Sequence, residues 1–306
     1  MTRISVIGLG AMGASYAAKL SEAEGTQVRV VAEGERAERL ARGGVTVNGV
    51  QHRFAVVCPD EAVEPADLVV VGVKYPALAV AIPQLKRHIG PGTVVISLLN
   101  GITSEAEIAA AYPAAHVVLS ITFAIDAVRQ GQQVHYSNPG RMAFGDATNV
   151  APYSEHVRWL ARLFDAAGLD YEIPADMIAQ LWWKFLVNVG VNQVTAVLEA
   201  PYAVVQDRRS PARELMFAAQ REVIAIAQAQ GIGLGEADLA SWSQVLDELG
   251  PAQFSSMAQD VLAHRPTEVD VFSGSVMRMG AQLGVPVPVN TCLNQILSAK
   301  PLTWKH

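Results

Sequence analysis

The chain carries little charge and almost no cysteine. Only 17% of its 306 residues are charged, against 51% hydrophobic, a balance that excludes a disordered chain and demands well-filled cores. The two cysteines, Cys58 and Cys292, stand far apart without CxxC spacing, so neither a disulfide framework nor a zinc site is expected. Basic residues are in the minority, 23 Lys and Arg against 29 Asp and Glu, and they are scattered. That leaves no concentrated basic face for a nucleic acid. Long apolar runs are missing too: 68–73 and 94–99 are far too short to cross a bilayer and are bounded by turn residues. The apolar stretch at 4–7 gives way at once to glycines, which is no signal-peptide core, so a cytoplasmic protein with no membrane partner is expected.

What is present divides the chain in two. Short Val, Ile and Leu runs at 4–7, 28–31, 68–73, 94–99 and 117–121 alternate with amphipathic stretches, the pattern of a parallel sheet covered on both faces. A hairpin-like tail follows, with strands at 131–135 and 141–145 about an Asn138-Pro139-Gly140 turn, extending the sheet at one edge. Beyond about residue 174 apolar residues recur at helical spacing instead, with long helices expected at 176–200, 211–230, 253–264 and 266–283. The fold class expected is therefore α/β, a Rossmann-type parallel-sheet domain over 1–172 followed by an all-helical domain over 173–306.

Directly after the first strand comes Gly8-Leu9-Gly10-Ala11-Met12-Gly13, GxGxxG spacing that opens a helix. Gly8 permits the tight turn, Gly10 admits a pyrophosphate close to the backbone, and Gly13 lets helix and strand approach; the helix N–H groups then face the anion. Without a ligand the same segment would be a glycine-rich turn. Glu33, about twenty residues on at the end of the second strand, is placed to accept hydrogen bonds from an adenosine ribose. Its charge would repel a 2′-phosphate and so favours NADH, although Arg36 and Arg39 follow closely and are able to hold a phosphate; an ordinary solvated carboxylate is the plain alternative. Lys74 and Asn100 close the third and fourth strands at the end where open sheets bind ligands. Each also has a bland reading, Lys74 as a surface lysine and Asn100 as a turn former before Gly101.

The segment from Ala175 to Ala200 is apolar nearly all round, yet Lys184, Asn188 and Asn192 recur every fourth residue and so stack as one polar stripe. Unpartnered burial of such groups costs on the order of 1–3 kcal/mol for each amide and more for the ammonium, so the stripe faces either a polar ligand or solvent. Ser256 sits where a helix starts, and Glu268 follows Pro266 at another helix start, where capping and the helix dipole explain both. Trp182 and Trp183 are candidates to cover a homodimer interface or an interdomain seam.

Taken together, GLGAMG, VGVKYPA around Lys74, LLNG around Asn100, WWKFLVNVGVNQVTA around Lys184, and SSMAQD followed by HRPTEVD resemble the ketopantoate reductase family over essentially the whole chain. The resemblance implies reduction of 2-dehydropantoate to pantoate by NAD(P)H in a cleft between a Rossmann and a helical domain. It implies that Lys184 donates the proton to the forming alkoxide and that Glu268 assists it. Asn188 and Asn192 would contact substrate, Ser256 its carboxylate, and Lys74 and Asn100 would line the nicotinamide and ketone. Two departures stand out. The family more often carries arginine where Glu33 stands, that arginine contacting the 2′-phosphate of NADPH, and Gln253 stands where some members have asparagine. The competing readings are a reductase for another 2-oxo acid, a 3-hydroxy acid dehydrogenase, whose GG-containing substrate motif is missing, and a non-catalytic dinucleotide sensor, which has no use for the polar stripe.

Overall fold

The computed structural model describes residues 1–123 and 127–304. The chain forms two compact units, Met1–Met177 and Ile178–His306. In the first, β1 (Thr2–Ile7), β2 (Thr26–Val31), β3 (Ala55–Val57), β4 (Leu68–Val71), β5 (Val94–Ser97) and β6 (His116–Val117) make one parallel sheet in the order β3-β2-β1-β4-β5-β6. Every residue of β4 and β5 is buried, as a sheet covered on both faces requires. The order reverses at β1: helix α1 (Ala11–Glu22) leads to β2 on one side, while β4 pairs on the other. Such a switch point opens a crevice at the carboxyl ends of the strands. Helix α1 has buried residues nearly all round, from Gly13 to Ala18 and Leu20, and its Tyr16 ring meets Phe164 of the helix Glu155–Ala167.

Some strand expectations need correction. Residues 131–135 and 141–145 do not pair with each other. The hairpin forms instead between Val128–Gln130 and Gln133–His135, through the two-residue turn Gly131-Gln132 with Gly131 at φ 61°. A glycine in a two-residue loop matches strand twist, whereas Asn138-Pro139-Gly140 closes on itself through the Gly140 N–H to Asn138 Oδ1. Gln133–His135 joins Val45–Val47 and Val50–His52 in a four-stranded sheet, and Arg141–Gly145 lies between Leu119–Phe123 and Tyr171–Glu172 in a three-stranded one. The run at 117–121 is thus divided: Val118 donates its N–H to Val95 O, and the chain passes to the next sheet.

Beneath the first strands lies a buried polar cluster. Ser5 Oγ accepts from Arg29 Nε at 2.8 Å and lies 3.0 Å from Nδ1 of His88, which is fully buried. Burial first, and then the Arg29 charge, pull the His88 pKa from 6.5 down to about 4. The unfolded chain therefore binds a proton between pH 6.5 and 4 that the folded one refuses. The stability tied to neutral His88 is complete above pH 6.5 and is lost as pH falls through 4, by up to about 3 kcal/mol. Urea denaturation across that window should give a steeper decline for the native chain than for His88→Asn; equal slopes would refute the assignment.

In the second unit the helices are Met177–Leu198, Pro211–Ala229, Glu236–Glu248, Ser256–Leu262, Ser275–Leu283 and Pro288–Thr303, and a shorter one spans Ala203–Gln206. Here too two expectations change. The helix expected at 253–264 starts only at Ser256, because Ser255 is its N-cap and accepts from Ala258 N. The helix expected from Pro266 starts at Asp270 as a π-turn, Asp270–Gly274, in which Gly274 N bonds back to Val269 O. Long-range polar contacts lock the packing. Glu222, from the helix Pro211–Ala229, accepts the backbone N–H groups of Val289 at 2.7 Å and Asn290 at 2.9 Å, so a buried carboxylate caps the last helix. Gly190 admits Gln220 against the long helix, where a Cβ would come within 2.6 Å of that side chain.

Candidate active site

The turn after β1 is built by backbone contact. Gly8 has φ 90°, and a Cβ there would lie 2.4 Å from Val73 N; a Cβ on Gly13 would lie 2.0 Å from Gly8 O. Gly72, at the end of β4, closes the same contact, since its Cβ would lie 2.8 Å from Gly8 O. Gly10 is different: a Cβ there would meet only Gly72 O, at 3.6 Å, so its face is open. It is also the N-cap of α1, whose first turn has no acidic residue and no side-chain cap. The N–H groups of Ala11, Met12 and Gly13 therefore present partial positive charge beside an open glycine, an arrangement that fits the pyrophosphate of a dinucleotide.

The other strand ends gather around this turn. Glu33 is the exposed N-cap of the helix Gly34–Gly43, and its Oε1 accepts from Gln84 Nε2 at 2.7 Å. Lys74 is exposed and precedes the 3-10 turn Tyr75–Ala77 after β4. Asn100 is half-buried just past β5, next to Gly101 at φ 96°. The two loops are tied together: Tyr75 OH donates to Glu107 Oε1 at 2.7 Å and accepts from Thr103 Oγ1 at 3.2 Å.

In the second unit Lys184 and Asn188 are half-buried and Asn192 is buried on the long helix, while Phe185, Leu186, Val189 and Val191 around them are buried. Trp182 packs edge-on to Phe185 and Trp183 edge-on to Trp242, so both indoles are engaged within this unit. The serine pair separates into two roles. Ser255 is buried and lies 2.7 Å from Thr195 Oγ1, whereas Ser256 is exposed at the first position of its helix. Because Thr195 Oγ1 also reaches Asn192 O, at 3.3 Å, the Ser256 helix starts beside the far end of the polar stripe. Glu268 is half-buried, and its carbonyl accepts the first bonds of the π-turn, from Val271 N and Phe272 N.

Gly72, Tyr75 and Thr195, within the motifs around Lys74 and Lys184, and Glu107, outside them, also shape this region without having been candidates individually. Gly72 alone carried a local signal, a glycine at the end of an otherwise apolar strand. Among the described residues no group of His, Cys, Asp and Glu is able to hold a metal, and no helix is long and apolar enough to cross a membrane.

An open parallel sheet with a glycine turn at its switch point, followed by a helical unit carrying a polar stripe, defines the class: a two-unit α/β oxidoreductase. The chain belongs to the ketopantoate reductase family. The family model described as ketopantoate reductase PanE/ApbA matches residues 4–149, and its C-terminal counterpart matches 176–301. The 2-dehydropantoate 2-reductase of Halobacterium salinarum is 28% identical over 301 residues, covering 94% of this chain and 95% of that one. Among solved structures, 2-dehydropantoate 2-reductase from Geobacter metallireducens is 26% identical with a TM-score of 0.82, over 97% and 99% of the two chains. The ternary structure of D-mandelate dehydrogenase with NADH and anilino(oxo)acetate shares the fold over the full length of both chains, at 23% identity and a TM-score of 0.86.

Proposed function

We propose that this chain reduces a 2-oxo acid, with 2-dehydropantoate as the first candidate, using hydride from a nicotinamide dinucleotide. The observation that carries the reading is the stripe of Lys184, Asn188 and Asn192 on a helix where the neighbouring Phe185, Leu186, Val189 and Val191 are buried. When bound at the glycine turn, the dinucleotide supplies the hydride. The residues of the chain do the rest. Gly10 and the first N–H groups of α1 hold the pyrophosphate. As negative charge develops on the ketone oxygen, the Lys184 ammonium stabilises it and delivers a proton to it, with Glu268 assisting. Asn188 and Asn192 orient the substrate, Ser256 binds its carboxylate, and Lys74 and Asn100 line the nicotinamide and ketone.

Glu33 supports NADH over NADPH. Gln84 holds one carboxylate oxygen and leaves the other to accept from ribose hydroxyls, where a 2′-phosphate would be repelled. A second reading is a 2-oxo acid other than 2-dehydropantoate, since a few changes lining a pocket redirect specificity. Steady-state rates for NADH and NADPH against 2-dehydropantoate and aryl 2-oxo acids test all of this. NADH with 2-dehydropantoate should give the highest kcat/KM, and Glu33→Arg should move the cofactor ratio toward NADPH by about tenfold or more. Failure to reduce any 2-oxo acid with either cofactor would end the proposal.

A further inference from the structure

Two adjacent serines of the second unit differ in burial. Ser256 is exposed, as serine mostly is, whereas Ser255, the N-cap before it, is only 1% exposed. A solvated cap gives its hydroxyl hydrogen to water. A buried one needs an acceptor within the protein, or its donor is left unpaired. That acceptor is Thr195 Oγ1, 2.7 Å away and 60 residues earlier, on the helix Met177–Leu198. The direction of the bond follows from the hydrogens available. Thr195 has one hydroxyl hydrogen, and it goes to Val191 O at 2.7 Å, with Asn192 O farther off at 3.3 Å. Ser255 therefore donates to Thr195, while its own oxygen accepts from Ala258 N at 3.2 Å. One ordered chain runs from the Ala258 N–H through both hydroxyls to the backbone of the long helix.

The chain joins two parts of the candidate site. One end lies on the turn of the long helix that carries Asn192, and the other fixes the first turn of the helix Ser256–Leu262. The segment leading into that turn is held as well: Tyr202 N donates to Gln253 O at 2.9 Å, and Ala203 N to Pro251 O at 3.0 Å. Ser256 thus stands on a helix start that cannot slide relative to Asn192 without breaking a buried hydrogen bond. Leaving a buried donor unpaired costs more than the bond contributes when made, so the junction resists such a shift. Thr195 is 0% exposed and Ser255 nearly so, which leaves neither a surface on which to meet a substrate. Any effect of theirs on the chemistry passes through their neighbours.

We propose that Thr195 and Ser255 are positioning residues, whose buried hydroxyl pair holds Ser256 in register with Asn192 so that the substrate carboxylate meets a preset site. The proposal rests on the reading that Ser256 takes the carboxylate of a 2-oxo acid. Thr195→Val keeps the shape of the side chain and removes the link, whereas Thr195→Ser keeps the link. Calorimetric titration of the full chain with 2-dehydropantoate in the presence of NAD+, where no turnover occurs, reads binding directly. Thr195→Val should weaken it by about tenfold or more, Thr195→Ser should restore it, and cofactor affinity should stay native. In steady-state assays KM should rise by the same factor while kcat changes far less. Against a Ser256→Ala background Thr195→Val should add no further loss, because its effect passes through Ser256. A merely structural role would lower the melting temperature without moving KM. Native substrate affinity in Thr195→Val, or losses that add to those of Ser256→Ala, would overturn the proposal while leaving the carboxylate reading intact. No 2-oxo acid binding by the native chain, or native affinity in Ser256→Ala, would end that reading and this proposal with it. Ser255→Gly, which keeps a tolerated N-cap and removes the hydroxyl, repeats the test should Thr195→Val misfold.

Discussion

Lys184→Ala should lower kcat for 2-oxo acid reduction by about a thousandfold, the scale expected when one group both stabilises a forming oxyanion and donates its proton. The fold should survive the change. Lys184 is half-buried on a helix of 22 residues, alanine is the best helix former, and Phe185, Leu186 and Val189 keep the packing. Lys184→Arg separates the two contributions: a guanidinium keeps the charge but does not release a proton near neutral pH, so its turnover should lie between those of the alanine variant and the native chain. Asn188→Ala and Asn192→Ala should act mainly through KM, because an amide that orients substrate binds ground state and transition state alike. Pre-steady-state and steady-state assays with saturating cofactor check these assignments. Native turnover in the alanine variant would remove Lys184 from the chemistry.

The second large effect separates two glycines of one motif. Gly13→Ala drives a methyl group to 2.0 Å from Gly8 O, a backbone atom that has no rotamer to escape into. The strand–helix junction must open, so a loss of several kcal/mol in stability is expected, together with loss of dinucleotide binding. Gly10→Ala meets only Gly72 O at 3.6 Å, an ordinary contact, so the folded state should be nearly unaffected while cofactor affinity drops by about tenfold or more. Thermal melts paired with cofactor titration read both quantities. Equal stability losses in the two variants would contradict the open face of Gly10, and undiminished cofactor affinity in Gly10→Ala would show that this face is not reserved for a ligand.

The parts that were legible in the sequence are those coded over a few neighbouring residues. The apolar runs of β1, β2, β4 and β5 marked buried parallel strands, and apolar recurrence marked the long helix within a few residues of its observed ends, Met177–Leu198. Leu239, Trp242 and Leu246 recur at helical spacing and are buried in Glu236–Glu248, so that helix too is coded locally. The strands Val45–Val47, Val50–His52, Val128–Gln130 and Tyr171–Glu172 were illegible for a physical reason: two or three residues hold too little alternation, and such strands exist only because a partner's hydrogen bonds define them. The hairpin forms at 128–135 rather than 131–145 for the same reason, since two turn signals competed and pairing elsewhere chose between them.

The residues themselves determined the chemistry on offer: the glycine spacing, the carboxylate after β2, and the ammonium and amides every fourth residue on a greasy helix are local facts that chain geometry alone converts into a turn, an acceptor and a stripe. Only the tertiary structure decided which distant groups meet. Gly72 closes on Gly8 and Gly13, Gln84 holds Glu33, Ser255 rather than Ser256 is buried against Thr195, and Arg129 is carried to Arg36 and Arg39. Contacts of that kind depend on strand order and packing summed over the whole unit, and no short window of sequence contains them.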